Sequence, residues 1–142
     1  MFKIKSQIEF DMAHYLSGYE GKCSNIHGHR YKLIVSVKSE TLHQEGQLRG
    51  MVDDFGNIKS KLKEIENLYD HKLVIEDNED GRLVAQKLSE LPNAFKVLLV
   101  PYRPTAEEMS RDIFYKLKDI GLNVSEVELF ETPTNSCTYS ED

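Results

Sequence analysis

Phe2-Lys3-Ile4-Lys5-Ser6-Gln7-Ile8-Glu9-Phe10 alternates apolar and polar side chains along almost its whole length. Phe2, Ile4, Ile8 and Phe10 fall on one parity, and Lys3, Lys5, Gln7 and Glu9 on the other. A period of two is the mark of a strand with one face buried. Residues 30–38 repeat it, with Tyr31, Leu33, Val35 and Val37 on one side. The polar stretch 41–50, with Gly46 and Gly50, reads as a turn.

The period then changes. Phe55, Ile58, Leu62, Ile65 and Leu68 recur at helical spacing behind Asp54, a natural N-cap, and the helix is expected to end near Tyr69. The acidic run 76–81 reads as a solvated turn. Residues 82–91 fit a short helix or a strand equally, and 96–100 read as a strand. Thr105 and Glu108 have the spacing of a capping box. Met109, Ile113, Leu117 and Ile120 form the apolar stripe of the helix they start, and Gly121 stops it. A strand over about 124–131 and a tail strand near 136–139 complete one domain over residues 1–142. This order predicts an α+β fold with an antiparallel sheet.

Composition narrows the function. A net charge of −6, with no basic stripe, argues against nucleic acid as partner. The longest apolar run, Val97–Val100, is far short of the ~20 residues that span a bilayer. Charges among the first residues leave no secretory core. Two cysteines, Cys23 and Cys137, are expected as free thiols of a cytoplasmic protein.

Histidines carry the chemical signal. His27 and His29 are two apart at the start of the second strand, so both rings point to one face. His14 follows the neighbouring strand. Three imidazoles with no fourth protein ligand form the pattern of a catalytic zinc site, where the open position takes water or substrate. His-x-His alone is more often a pair of unrelated strand histidines; His14 and Cys23 turn the reading toward a metal. Cys23 has three readings: a fourth ligand, a buried small hydrophobe, or a reactive thiol near imidazoles. Asp70-His71 pairs a carboxylate with an imidazole, the elements of an acid–base relay, or else is a polar helix end. Neighbouring residues seldom hydrogen-bond each other productively, so a pairing of the two with Cys23 has to run through space. Glu131 at a strand end is able to accept two parallel N–H bonds from an amidine-like edge, or is a plain exposed acid. Glu107 is a first-turn acid facing the helix dipole. His43 and Cys137 are read as exposed and as packing, respectively.

Taken together, Phe10–His14, Cys23–His29, Val52–Phe55, Asp70-His71, Pro104–Glu107 and Glu131-Thr132 resemble the 6-pyruvoyltetrahydropterin synthase / 6-carboxytetrahydropterin synthase family, in order and over nearly the whole chain. The resemblance implies a tunnelling fold: a four-stranded antiparallel sheet with two helices on one face, assembled as a homo-oligomeric barrel (hexamer or tetramer) with active sites between subunits. It implies Zn2+ held by His14, His27 and His29, and Cys23 as general base. Asp70 and His71 become its relay partners, from a neighbouring subunit. Glu131 becomes the anchor for the pterin's amino-pyrimidine edge, with Thr105 and Glu107 as further pterin contacts. The implied substrate is 7,8-dihydroneopterin triphosphate. The three residues between Cys23 and His27 resemble the branch that makes 6-carboxytetrahydropterin on the way to queuosine. The alternatives are the pyruvoyl-forming branch and a pterin- or zinc-binding protein without turnover. Two departures stand out: Met12 occupies a position usually small in the family, and the stretch from His71 to Pro104 is longer than in compact members.

Overall fold

The computed structural model describes residues 1–141. Strands β1 (Phe2–His14) and β2 (His27–Ser39) form a long antiparallel pair, in register from Phe2 opposite Ser39 to His14 opposite His27. Helix α1 (Phe55–Tyr69) follows, then β3 (Lys72–Glu76), helix α2 (Glu79–Ser89) and β4 (Val97–Val100). Helix α3 (Ala106–Asp119) leads into β5 (Val124–Thr132) and β6 (Asn135–Ser140). The sheet order is β4-β3-β1-β2-β5-β6.

Four of these strands, β1, β2, β5 and β6, are the expected antiparallel set. The expectation of four strands and two helices falls short, because the described residues form a six-stranded sheet and three α-helices. The extra parts come from the long stretch after His71. β3 runs parallel to the end of β1, and β4 parallel to β3, with α2 as the crossover. β3 offers no alternation to read: Leu73, Val74 and Ile75 form one short apolar run. Strands covered on both faces look like that.

Register assigns the faces. Ile8, Phe10 and Met12 of β1, Tyr31, Leu33 and Val35 of β2, and Val127 and Leu129 of β5 are buried beneath α1 and α3. Each such large apolar side chain contributes about 1.5–3 kcal/mol. Val74 lies opposite His14 and joins this core. Ile75, one residue on, is fully buried but outside it, in contact with α2. So α1 and α3 share one face, and α2 covers the other.

Helix ends mostly follow their sequence signals. Asp54 accepts from the Gly56 amide at 2.7 Å. Phe55, however, is exposed rather than on the buried face. The capping box at α3 is only half formed: Thr105 caps the Glu108 amide at 3.2 Å, while the Glu108 carboxylate pairs with Arg111 instead. Beyond α3 the Leu122 amide reaches the Leu117 carbonyl and the Gly121 amide the Lys118 carbonyl, a Schellman closure with Gly121 at φ 95°. The acidic run is not one loop. Asn78 caps α2, and Glu79 and Asp80 sit in its first turn, where the helix dipole favours them.

Gly81 anchors α2 to the sheet. A Cβ there would sit 2.0 Å from the Glu76 carbonyl oxygen and 2.7 Å from the Ile75 side chain. Backbone cannot yield as a flexible side chain does, so Gly81→Ala is expected to cost about 1–3 kcal/mol, measured by urea unfolding. Unchanged stability would show that α2 does not rest on β3 as described.

Candidate metal and catalytic centre

Each strand row that faces the core ends in a polar residue at the same end of the sheet. The β1 row runs Ile8, Phe10, Met12, His14; the β2 row runs backward through Leu33, Tyr31, His29, His27; the β5 row runs Val127, Leu129, Glu131. Period-two alternation therefore delivers three imidazoles and a carboxylate to one place. The ligand atoms of His14, His27, His29 and Glu131 all lie within 4.8 Å of one another. The imidazole centroids form a near-regular triangle with sides of 4.7, 5.3 and 4.9 Å.

Backbone carbonyls set the rings. His14 Nδ1 donates to the Pro104 carbonyl at 2.8 Å, and His27 Nδ1 to the Asn25 carbonyl at 2.7 Å. A neutral imidazole that donates from Nδ1 leaves Nε2 as a lone pair. The Nε2 atoms of His14 and His29 are buried without a hydrogen-bond donor, and lie 3.2 and 3.1 Å from the same Glu131 oxygen. Burial pushes the His29 pKa down, which favours the neutral ligand form. The His14 ring beside it is the largest cause that draws the Glu131 carboxyl below its usual range. Two buried imidazole nitrogens without a hydrogen-bond partner, beside a carboxylate oxygen, fit a bound cation, and a set of three imidazoles suits zinc.

Asp70 and His71 form a second group, with Asp11. Asp70 ends α1, and His71 turns to φ 59°, a left-handed conformation. That turn answers the objection to neighbouring residues pairing: Asp70 Oδ1 lies 3.1 Å from His71 Nδ1 within one chain. The Asp11 amide donates to Asp70 at 3.0 Å and, first among the causes, draws the Asp70 carboxyl down. Arg30 occupies Asp11 at 2.9 Å. The carboxylates are thus already partnered, and the His71 side chain is 75% exposed with its far nitrogen free to face another molecule. Such a pair suits proton relay better than metal binding.

Cys23 sits in a single 3-10 turn, Lys22–Ser24, as a half-buried free thiol. Among the described residues it joins neither group, so the fourth-ligand reading gains no geometric support. Thr105 spends its hydroxyl on the cap, and Glu107 is exposed in the first turn of α3. Sequence reasoning placed Glu131 at a strand end but missed its closeness to the histidines. Its odd parity with Val127 and Leu129 carries that signal.

A cleft of about 660 Å³ opens on the face of the sheet that α2 covers, lined by Asp11, Ala13, Gly28 and Arg30 as well as His29 and His71. Ile26, Leu73, Leu88 and Phe95 supply apolar lining, so the long stretch after His71 builds part of the rim. Replacing one ring should expose the metal's dependence on all three. His29→Ala is expected to hold less divalent metal than the unmutated protein, measured by atomic emission after metal loading and dialysis; equal content would contradict the three-histidine arrangement.

Known proteins share this fold. The sequence pattern of the family described as 6-pyruvoyl tetrahydropterin synthase matches residues 3–142. A Haemophilus influenzae protein named 6-carboxy-5,6,7,8-tetrahydropterin synthase is 44% identical, over 99% of this chain and 100% of its own length. One of the same name from Rickettsia felis is 34% identical, over 94% of this chain and 96% of its own. The solved structure of 6-pyruvoyl tetrahydropterin synthase from Caenorhabditis elegans superposes with a TM-score of 0.70 at 24% identity, covering 99% of this chain and 96% of that one. An uncharacterized protein from Wolinella succinogenes superposes at 0.79 with 19% identity, covering 99% and 98%. With a match along nearly its whole length, the chain belongs to the 6-pyruvoyl tetrahydropterin synthase family.

Proposed function

We propose that this protein is a zinc-dependent lyase that converts 7,8-dihydroneopterin triphosphate to 6-carboxy-5,6,7,8-tetrahydropterin, acetaldehyde and triphosphate, a step toward queuosine. The observation that carries the reading is the convergence of acceptor atoms from His14, His29 and Glu131, with His27 beside them. The names of the Haemophilus and Rickettsia relatives support the carboxy-forming branch, as does the short Cys23–His27 spacing.

His14, His27 and His29 would hold the ion, with Pro104 and Asn25 carbonyls fixing two of the rings. Bound zinc supplies Lewis acidity to the substrate's side-chain hydroxyls. Cys23, as thiolate, takes the proton from the side-chain carbon next to the ring. His71, oriented by Asp70, passes that proton on. The exposure of His71 supports a relay completed by the Cys23 of another subunit, in a cytoplasmic homo-oligomer with active sites between chains. Glu131 accepts N–H groups from the pterin's amino-pyrimidine edge, and its place beside the histidines sets the reacting side chain next to them. Thr105 and Glu107, at the start of α3, add pterin contacts.

Three measurements test this. Zinc-loaded protein incubated with 7,8-dihydroneopterin triphosphate is expected to yield carboxytetrahydropterin and acetaldehyde by mass spectrometry; a pyruvoyl product would move it to the sister branch, and unchanged substrate would refute turnover. Cys23→Ala is expected to lower kcat by about 100-fold or more with zinc retained, as loss of a general base does. Loss of zinc in that variant would make Cys23 a ligand. Glu131→Gln is expected to raise KM about tenfold or more at unchanged zinc content, the effect of a lost charged hydrogen bond; zinc loss would make Glu131 a ligand instead of an anchor.

A further inference from the structure

The loop joining β1 to β2, residues 15–26, carries Cys23, and its own hydrogen bonds close two turns, at 16–19 and 21–25. The Leu16 amide donates to the Cys23 carbonyl at 2.8 Å, which ties the cysteine to the start of the loop. Both neighbours of Leu16 are held from outside. Tyr15 is buried, and its hydroxyl makes a long 3.4 Å hydrogen bond to Asp80 in the first turn of α2. The Ser17 carbonyl accepts from Arg103 Nη2 at 2.8 Å.

Arg30, Arg82 and Arg111 each pair with a carboxylate, and Arg49 is exposed without one. Half-buried Arg103 has no carboxylate within ion-pair distance among the described residues; its guanidinium is committed to a loop carbonyl. Gly18, at φ 77°, brings the chain past it, and a Cβ there would lie 3.7 Å from Nη2. The next residue, Pro104, offers the carbonyl that orients His14. Adjacent residues therefore grip both halves of the centre: Pro104 the metal-binding histidine, Arg103 the cysteine loop. We infer that Arg103 is a positioning residue that sets Cys23 relative to the histidine cluster, acting through Ser17 and the Leu16–Cys23 bond. The inference rests on the reading of Cys23 as the base.

The test compares Arg103→Met and Arg103→Lys in the full-length, zinc-loaded protein, with Cys137→Ser throughout so that only one thiol reacts. Arg103→Met is expected to lower kcat about tenfold or more, as small misplacements do, with KM within about twofold and zinc content unchanged. Iodoacetamide is expected to alkylate Cys23 several-fold faster, roughly, because the loop loosens. Lysine keeps one donor and is expected to restore most of both properties. Wild-type kcat and alkylation rate in Arg103→Met would overturn the inference, even with a lower melting temperature. So would loss of zinc together with activity, or no recovery with lysine. Should Arg103→Met not fold, Tyr15→Phe removes the bond from the same loop to Asp80 and is expected to act in the same direction more weakly; wild-type values there would count against the inference. If the unmutated protein leaves 7,8-dihydroneopterin triphosphate unchanged, the proposed function fails, and the alkylation rates still decide whether Arg103 holds the loop.

Discussion

Lone pairs aimed at one point repel unless a cation stands among them. His14 and His29 present Nε2 to the same Glu131 oxygen, at 3.2 and 3.1 Å, in surroundings where a bare acceptor is costly. The Pro104 carbonyl has already taken the His14 Nδ1 proton as its partner. Much of the fold serves to hold this arrangement. Thirteen paired positions of β1 and β2 set His14 opposite His27 and Met12 opposite His29. A slip of one residue would turn every one of these rings to the other face.

The apolar core and the polar centre are therefore continuous features of the same rows. Phe10 stacks on Tyr31 at 5.4 Å, and Tyr31 in turn packs edge-on against His14 and His29 at 6.1 and 5.7 Å. Packing fixes the rings that chemistry needs, at no added conformational cost. On the other side of the sheet, Leu88 of α2 and Phe95 just before β4 add apolar wall to the cleft that His29 and His71 line. The long stretch after His71 is thus part of the site's surroundings, and through Asp80 it also touches the loop that bears Cys23.

Alternation made β1 and β2 legible, because each has one wet face and one dry face. α1 and α3 were legible from their stripes and caps. β3 was not: it lies between β1 and β4, with α1 and α3 on one face and α2 on the other, and its three apolar residues carry no period. Residues 82–91 carry no decisive period because α2 is only lightly buried; Gly81 alone of its residues is buried. His14, His27 and His29 were legible as a cluster from strand parity and neighbouring strands. The pairing of Asp70 with His71 was not, since it depends on a positive φ at a histidine, which no residue pattern announces. The Arg103–Ser17 contact joins positions 86 apart and leaves no local trace.

The most direct test is an X-ray absorption spectrum at the zinc edge of the purified, zinc-replete protein. The account predicts a first shell of nitrogen and oxygen only, at about 2.0–2.1 Å, with the outer-shell scattering of about three imidazoles. A sulfur scatterer at about 2.3 Å would place Cys23 on the metal and contradict its assignment as the base.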